Sequence, residues 1–355
     1  MFNDIFIKSS ISSGYSACFI NKIESIFDEF NDLENTIFII DRNVFELHFS
    51  NKFTHVFLGN YVLIESTEKA KTLEYVDVVI TSLLEKNVKR NKHLVAIGGG
   101  VVQDITAFIS SILFRGVSWY FIPTTLLGQC DSCIGSKSSI NFKGYKNLLG
   151  TFNPPVKIFI CPIFLESLSE IEIRSGIGEM FHYFLTVGIN EAEEISKDFP
   201  EILNNRALLL NFIYKSLNIK KTIIEIDEFD TGIRHIFNYG HTFGHAIETL
   251  TDYKICHGQA VTLGIDIANY ISFRMGLISQ NDYSKIKNII LFNIPDLEIT
   301  ETSIDQYIEI LKKDKKNIEN KLGCILPIEI GRVEKRYLDF NESLRELILS
   351  YFESK

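Results

Sequence analysis

The chain has no surplus of positive charge. Its 355 residues carry 36 Lys and Arg against 45 Asp and Glu, a formal net charge of −9, which argues against nonspecific binding to nucleic acid. No apolar run approaches the roughly 20 residues needed to cross a bilayer, so no membrane partner is expected. The opening MFNDIFIKSSISSGYSACFI lacks a basic segment followed by a clean apolar core, which predicts no secretory leader and a cytoplasmic location. There is no internal repeat and no low-complexity linker. Cysteine is sparse: Cys18, Cys130, Cys133, Cys161, Cys256 and Cys324 are scattered, as free thiols in a reducing compartment are. Cys130 and Cys133 make one CxxC, but a structural zinc site usually needs a second pair. They read as ordinary thiols.

What is present is a large apolar fraction, 46% of residues with 23% charged. That suffices for a sizeable core in one large or two smaller domains. Early segments alternate between strand-like and helix-like patterns. NTIFIID (35–41), HLVAI (93–97) and SWYFIPTT (118–125) read as strands, and HVFLGNYVLI (55–64) as one or two. EKAKTLEYVDVVITSLLEKN (68–87) and the run after GGGVVQD (98–104) read as helices. Alternation of this kind predicts a parallel sheet wrapped by helices. After about residue 165 long helical patterns dominate and strand signals are few. The expected organisation is an α/β domain over 1–163 followed by a mostly α-helical domain over 164–355. The basic run LKKDKKN reads as a solvated loop or helix end.

Histidine is also scarce, eight in all, yet GHTFGHAIE places His241 and His245 four residues apart on one helical face. His257 follows shortly after. Glu179 sits within SGIGEMFHYF among small and apolar neighbours, where a carboxylate is costly unless paired. One Glu and two His with an open position form a catalytic zinc set; His182, His235 and Cys256 are competing donors. GGGVVQD joins a strand to a helix, where backbone amides and the helix N-terminus suit a pyrophosphate, although it is not GxGxxG. Asp41, at a strand end, is placed as ribose-binding acids often are. Candidate cations for a phosphate or carboxylate are Arg115, Lys137, Lys146, Lys220, Arg234, Lys315 and Lys316.

Taken together, IGGGVVQD, FRGVSWYFIPTTLLGQCDSCIGSK, YKNLLGTF, RSGIGEM, DEFDTGIRHIFNYGHTFGHAIE and ICHGQAV resemble the 3-dehydroquinate synthase family of sugar phosphate cyclases, from about Asp41 to about Gly331. The resemblance implies an N-terminal NAD-binding α/β domain and a helical metal- and substrate-binding domain. For NAD it implies Asp41, Glu68, Lys71, Gly98, Gly99, Gly100, Asp104, Thr124, Thr125, Lys137 and Lys146. For zinc (or cobalt) it implies Glu179, His241 and His257. It puts His245, Arg115, Lys137, Asn147, Asn238 and a lysine of Lys315–Lys316 on the substrate phosphate, Asp131 on its hydroxyls, and Lys220 with Arg234 on its carboxylate. Three positions depart from the family pattern. His182 stands where a substrate-contacting lysine is usual, Ser136 where GGK has its second glycine, and Gln103 where a glycine precedes Asp104.

The chemistry so implied oxidises a ring hydroxyl with NAD, eliminates phosphate, returns the hydride, and closes the opened ring as a carbocycle. The substrate would be 3-deoxy-D-arabino-heptulosonate 7-phosphate and the product 3-dehydroquinate, made by a carbon–oxygen lyase acting as a homodimer. Three rivals stand beside this expectation. One is a cyclase for another sugar phosphate, of aminocyclitol or pseudosugar type, motivated by His182. The others are a metal-dependent polyol or glycerol-phosphate dehydrogenase and a non-catalytic paralogue.

Overall fold

The computed structural model describes residues 2–30, 33–143, 145–297, 301–314 and 316–354. Two compact units emerge. One holds Met1–Ser169 with Lys220–Phe229, the other Glu170–Ile219 with Asp230–Lys355. Sequence placed a single boundary near 163; the chain instead divides after Ser169, and a ten-residue piece, 220–229, returns to the first unit.

The first unit is built on a 7-stranded sheet. Its strands are β1 (Ile5–Ile7), β2 (Tyr15–Phe19), β3 (Thr36–Asp41), β4 (Tyr61–Ile64), β5 (His93–Gly98), β6 (Trp119–Pro123) and β9 (Lys157–Ile160). The order is β1-β2-β9-β6-β5-β3-β4, parallel throughout except for the antiparallel edge pair β1–β2. β3 and β5 are almost wholly buried, as central parallel strands covered on both faces must be, and this is why they read as continuous apolar runs. Helices α1 (Ile23–Asp28), α2 (Arg42–His48), α3 (Leu73–Glu85) and α4 (Gly100–Ile112) complete the layer architecture. A hairpin of β7 (Lys137–Phe142) and β8 (Tyr145–Phe152) stands apart from the main sheet.

Chain order matters for function. From β3 the chain steps to β4 on one side and returns to β5 on the other, so the sheet reverses direction of growth between β3 and β5. In open α/β sheets that switch point leaves a crevice beyond the carboxyl ends of the strands. Asp41 ends β3 and Gly98 ends β5, with Gly98 paired to Pro123 of β6.

The second unit is mostly helical: α5 (Glu170–Val187), α6 (Asn190–Ile202), most of α7 (Leu209–Ile224), α8 (His241–Leu250), α9 (His257–Arg274), α10 (Gln280–Ile290), α11 (Glu301–Lys312) and α12 (Glu342–Glu353). α9 is buried from Ala260 to Ser272 without a break, so it is the central helix, and its weak amphipathicity follows. One pair of strands accompanies these helices. β10 (Lys321–Glu329) and β11 (Arg332–Asp339) form an antiparallel hairpin. In the first unit, 55–64 holds one strand, Tyr61–Ile64, preceded by a 3-10 turn at Thr54–Phe57.

Candidate functional site

Close helix packing in the second unit brings its donor side chains together. A β-carbon on Gly178 of α5 would lie 1.9 Å from the carbonyl oxygen of Gly258 in α9, and one on Gly258 would lie 1.7 Å from that of Ser175. A β-carbon on Gly264 would lie 2.0 Å from the Gly240 oxygen, and one on Gly244 would lie 2.8 Å from that of Ala260. So α5 and α8 both reach α9 backbone to backbone. The glycines flanking His241 therefore serve contact with α9, and Gly240 also turns into α8 at φ +81°. Ser175 Oγ accepts the backbone N–H of Gly258 at 3.2 Å, satisfying an amide in the first turn of α9.

These contacts set Glu179, one residue beyond Gly178, against His257, one residue before Gly258. Glu179 is 2% exposed. Its Oε1 lies 3.1 Å from His257 Nε2 and its Oε2 lies 3.7 Å from His241 Nε2. Donors about 2.1 Å from a tetrahedral zinc lie about 3.4 Å from one another, so each imidazole stands near the distance at which it would share a cation with the carboxylate; the donor sets that gather within 4.8 Å are Glu179, His182 and His241, and His241, His245 and His257. The remaining ring nitrogens are held from behind. His257 Nδ1 lies 3.1 Å from Glu248 Oε2, and His241 Nδ1 lies 3.3 Å from the Tyr239 carbonyl. Both are the outer contacts that orient metal-binding histidines. Glu248 closes the GHTFGHAIE motif, but its partner is nine residues on, and only the α8–α9 packing joins them.

Electrostatics divide the two imidazoles. Burial, helped by His182, His257 and Lys316, pushes His241 down to about 3 against the pull of Glu179. It is neutral at pH 7 and offers a lone pair. Burial also disfavours the charged form of His257, but Glu179 and Glu248 outweigh it and hold that imidazole well above its ordinary range. His245 is exposed, with its ring 5.3 Å from that of His241 and 5.6 Å from that of His257. His182 lies on the buried side, with Nδ1 3.4 Å from Glu179 Oε2. The competing donors separate: His235 turns Nδ1 to the Gly232 carbonyl at 2.6 Å, and Cys256 directs Sγ to Gln259 Oε1 at 3.2 Å.

Two of the phosphate candidates, Asn238 and Lys316, line one small cavity with His235, Thr242 and Lys335. Lys335 lies outside the quoted motifs, and His235, although within one, carried no phosphate role there. Lys316 Nζ lies 3.1 Å from Asp314 Oδ2, so LKKDKKN is more than a solvated helix end. Arg234 is buried on the turn before α8. Lys315 lies outside the described residues.

In the first unit, Lys71 is buried and faces three acceptors: Asp104 Oδ2 at 2.7 Å, Asn147 Oδ1 at 2.9 Å and Ser139 Oγ at 3.4 Å. Burial pushes the Asp104 carboxyl up, against Lys71 and Ser139. Asn147, at φ +52°, thus joins the Lys71 cluster. Glu68 Oε1 accepts from Asn141 Nδ2 at 2.8 Å. Asp41 Oδ1 caps α2 through the Asn43 amide at 2.8 Å. Gly99 is the N-cap of α4 and packs on Thr125, Gly100 has open space around it, and Thr124 is buried beside Gly98. Arg115 is exposed at φ +63°, and Lys137 and Lys146 are exposed on the β7–β8 hairpin. Lys220 pairs with Asp131 at 2.7 Å. Two departures have local solutions. Gln103 donates to the Ser132 carbonyl at 2.6 Å, and Ser136 holds φ +55° where a glycine would be unstrained. Cys130 and Cys133 are buried free thiols.

Known proteins share this pattern. The family model described as 3-dehydroquinate synthase N-terminal matches residues 61–175, and the one described as 3-dehydroquinate synthase C-terminal matches 176–317. A 3-dehydroquinate synthase of Dictyoglomus turgidum is 39% identical over 280 residues, 78% of each chain. Among solved structures, 2-deoxy-scyllo-inosose synthase complexed with carbaglucose-6-phosphate, NAD+ and Co2+ superposes with a TM-score of 0.84 at 23% identity, covering 98% of this chain and 99% of that one. A 2-epi-5-epi-valiolone synthase from Streptomyces hygroscopicus with NAD+ and Zn2+ bound gives 0.82 at 22%, covering 98% and 99%.

Proposed function

The chain belongs to the 3-dehydroquinate synthase family, and on that premise we propose that it is a carbon–oxygen lyase converting 3-deoxy-D-arabino-heptulosonate 7-phosphate to 3-dehydroquinate and phosphate. The observation that carries the reading is the buried Glu179 carboxylate set between His257 at 3.1 Å and His241 at 3.7 Å. These three would hold zinc or cobalt. When bound, the metal supplies Lewis-acid polarisation of substrate oxygens, and NAD takes up and returns the hydride.

The protein's own residues bind, orient and neutralise. The β3–β5 switch point, with Asp41, Gly98, Gly99, Gly100, Thr124 and Thr125, is where NAD would lie. Glu68, Lys71, Asp104, Lys137 and Lys146 complete that set. The uncapped first amides of α4 suit its pyrophosphate. Lys316, Asn238, His245 and Arg115 would neutralise the phosphate as it leaves, which stabilises the developing charge; Lys137 and Asn147 are their proposed companions. Lys220 and Arg234 would take the carboxylate, with Asp131, held by Lys220, directed to a hydroxyl. His182 would offer a short imidazole where the family pattern has a substrate-contacting lysine.

A homodimer in the cytoplasm is the proposed working form. Exposed Tyr145 and Leu148 on β8 support an apolar contact between copies. Six free cysteines support a reducing compartment, and no helix among the described residues is long and apolar enough to cross a membrane. The activity is tested by phosphate release from the heptulosonate phosphate with NAD and zinc. Release without net NADH supports the proposal; no release refutes it.

A further inference from the structure

β3 and β4 run parallel with Asp41 opposite Ile64, so the chain leaves the sheet at two neighbouring points. One exit is Arg42, the first residue of α2; the other is Glu65, directly after β4. Asp41 stands at the glycine turn: a β-carbon on Gly98 would lie 3.3 Å from its Cβ. Its Oδ1 accepts the Asn43 and Val44 amides at 2.8 and 3.4 Å, which leaves Oδ2 to accept from a ribose hydroxyl. In dinucleotide sites an acid in this place selects a free 2′-hydroxyl, whereas a nearby arginine accommodates a 2′-phosphate. Here both residue types are present and adjacent. The arginine is already engaged, because Arg42 Nε donates to Glu65 Oε1 at 2.5 Å. Glu65 is held in turn, its backbone N–H donating to the Tyr75 hydroxyl of α3 at 2.9 Å. The Arg42 and Glu65 side chains are 45% and 61% exposed, and an ion pair so exposed contributes little to folding.

We propose that Glu65 is a specificity-determining residue of the cofactor site. By occupying Arg42 and adding a second negative charge on the β4 side of Asp41, it closes the site to a 2′-phosphorylated nicotinamide dinucleotide. This rests on the NAD role proposed for Asp41. The rival role for the pair is to fasten two strand ends together. A fastener acts on both dinucleotides alike, whereas a specificity residue changes their ratio.

The test uses the full-length protein and titration calorimetry, with NAD+ and NADP+ as separate probes. The unaltered protein is expected to favour NAD+. Glu65→Gln removes one negative charge and releases the guanidinium, so it should shift the ratio of the two dissociation constants toward NADP+ by about tenfold or more. The shift should shrink at high salt, as a charge contact on an exposed group does. Adding Arg42→Gln to Glu65→Gln should abolish it. Far-UV circular dichroism confirms that each variant is folded; should Glu65→Gln fail, Glu65→Ala decides. An unaltered protein that prefers NADP+, an unchanged ratio in the Glu65 variant, equal weakening of both dinucleotides, or a gain that survives Arg42→Gln overturns the inference. An unaltered protein that binds neither dinucleotide would refute the cofactor reading and the inference with it, while NAD+ binding with an unchanged ratio would refute the inference alone.

Discussion

His257 is held between two carboxylates: its Nδ1 lies 3.1 Å from Glu248 Oε2, while its Nε2 points at Glu179. Glu248 therefore sets which nitrogen carries the proton and which one faces the cation. Removing it leaves the inner donors in place but frees the ring. Glu248→Ala is expected to weaken zinc binding by about 10–100-fold with little loss of helix content. Zinc competition with a fluorescent chelator measures this; unchanged affinity would show that His257 is oriented by something else.

Protonation gives a second prediction. The two carboxylates hold His257 well above its ordinary range in the metal-free protein, and a metal needs the neutral ring. Binding must expel a proton, so below that raised value zinc affinity climbs about tenfold per pH unit. The stability of the metal-free protein has the opposite sign. A raised folded-state value contributes stability that is fully present below about pH 6.5 and is lost as pH rises through the raised value. Calorimetry in buffers of different ionisation enthalpy counts the proton, and urea midpoints of the chelated protein follow the stability. No proton release near neutral pH would contradict the arrangement.

Gly178→Ala tests the packing that assembles the donors. The added methyl would meet the Gly258 carbonyl oxygen at 1.9 Å, and backbone cannot yield as a side chain does. Overpacking of this kind costs about 1–3 kcal/mol. It also separates Glu179 from His257, so zinc affinity should fall along with the urea midpoint. A stable variant with unchanged affinity would show that α5 and α9 tolerate a wider spacing.

Lys71 gives a prediction confined to the first unit. Its buried ammonium serves Asp104, Asn147 and Ser139, and removing it strands a carboxylate that burial already pushes up. Lys71→Met should cost about 3 kcal/mol, the range for breaking one partner of a buried pair, and should weaken NAD binding. Asp104→Asn in the same background should recover part of the stability. Urea denaturation and NAD titration measure both; an unaltered midpoint would place the pair on the surface.

Much of this was legible in the sequence because it is local. Central parallel strands such as β3 and β5 announce themselves as apolar runs, and the carboxylate and imidazoles sit in helical motifs whose period is visible. Other features depend on partners far along the chain. β8 is exposed along most of its length and shows no alternation, so only its pairing with β7 makes it a strand. In β10, Leu322–Pro327 is buried without a break, a run short enough to pass for helix core. Glu248 as a support for His257, and Lys220 as the partner of Asp131 some 89 residues away, needed the folded chain. So did the two-sided use of Glu179, since sequence gives the spacing of His182 but not which oxygen it meets.

The central claim is that Glu179, His241 and His257 hold a metal on which an NAD-dependent cyclisation relies. The most direct measurement follows phosphate release from 3-deoxy-D-arabino-heptulosonate 7-phosphate by chelated protein, before and after zinc is restored in the presence of NAD, alongside Glu179→Ala. The account predicts no release without metal, recovery with zinc, no net NADH, and no recovery in the variant. Full turnover by Glu179→Ala, or NADH accumulating in step with substrate loss, would contradict it.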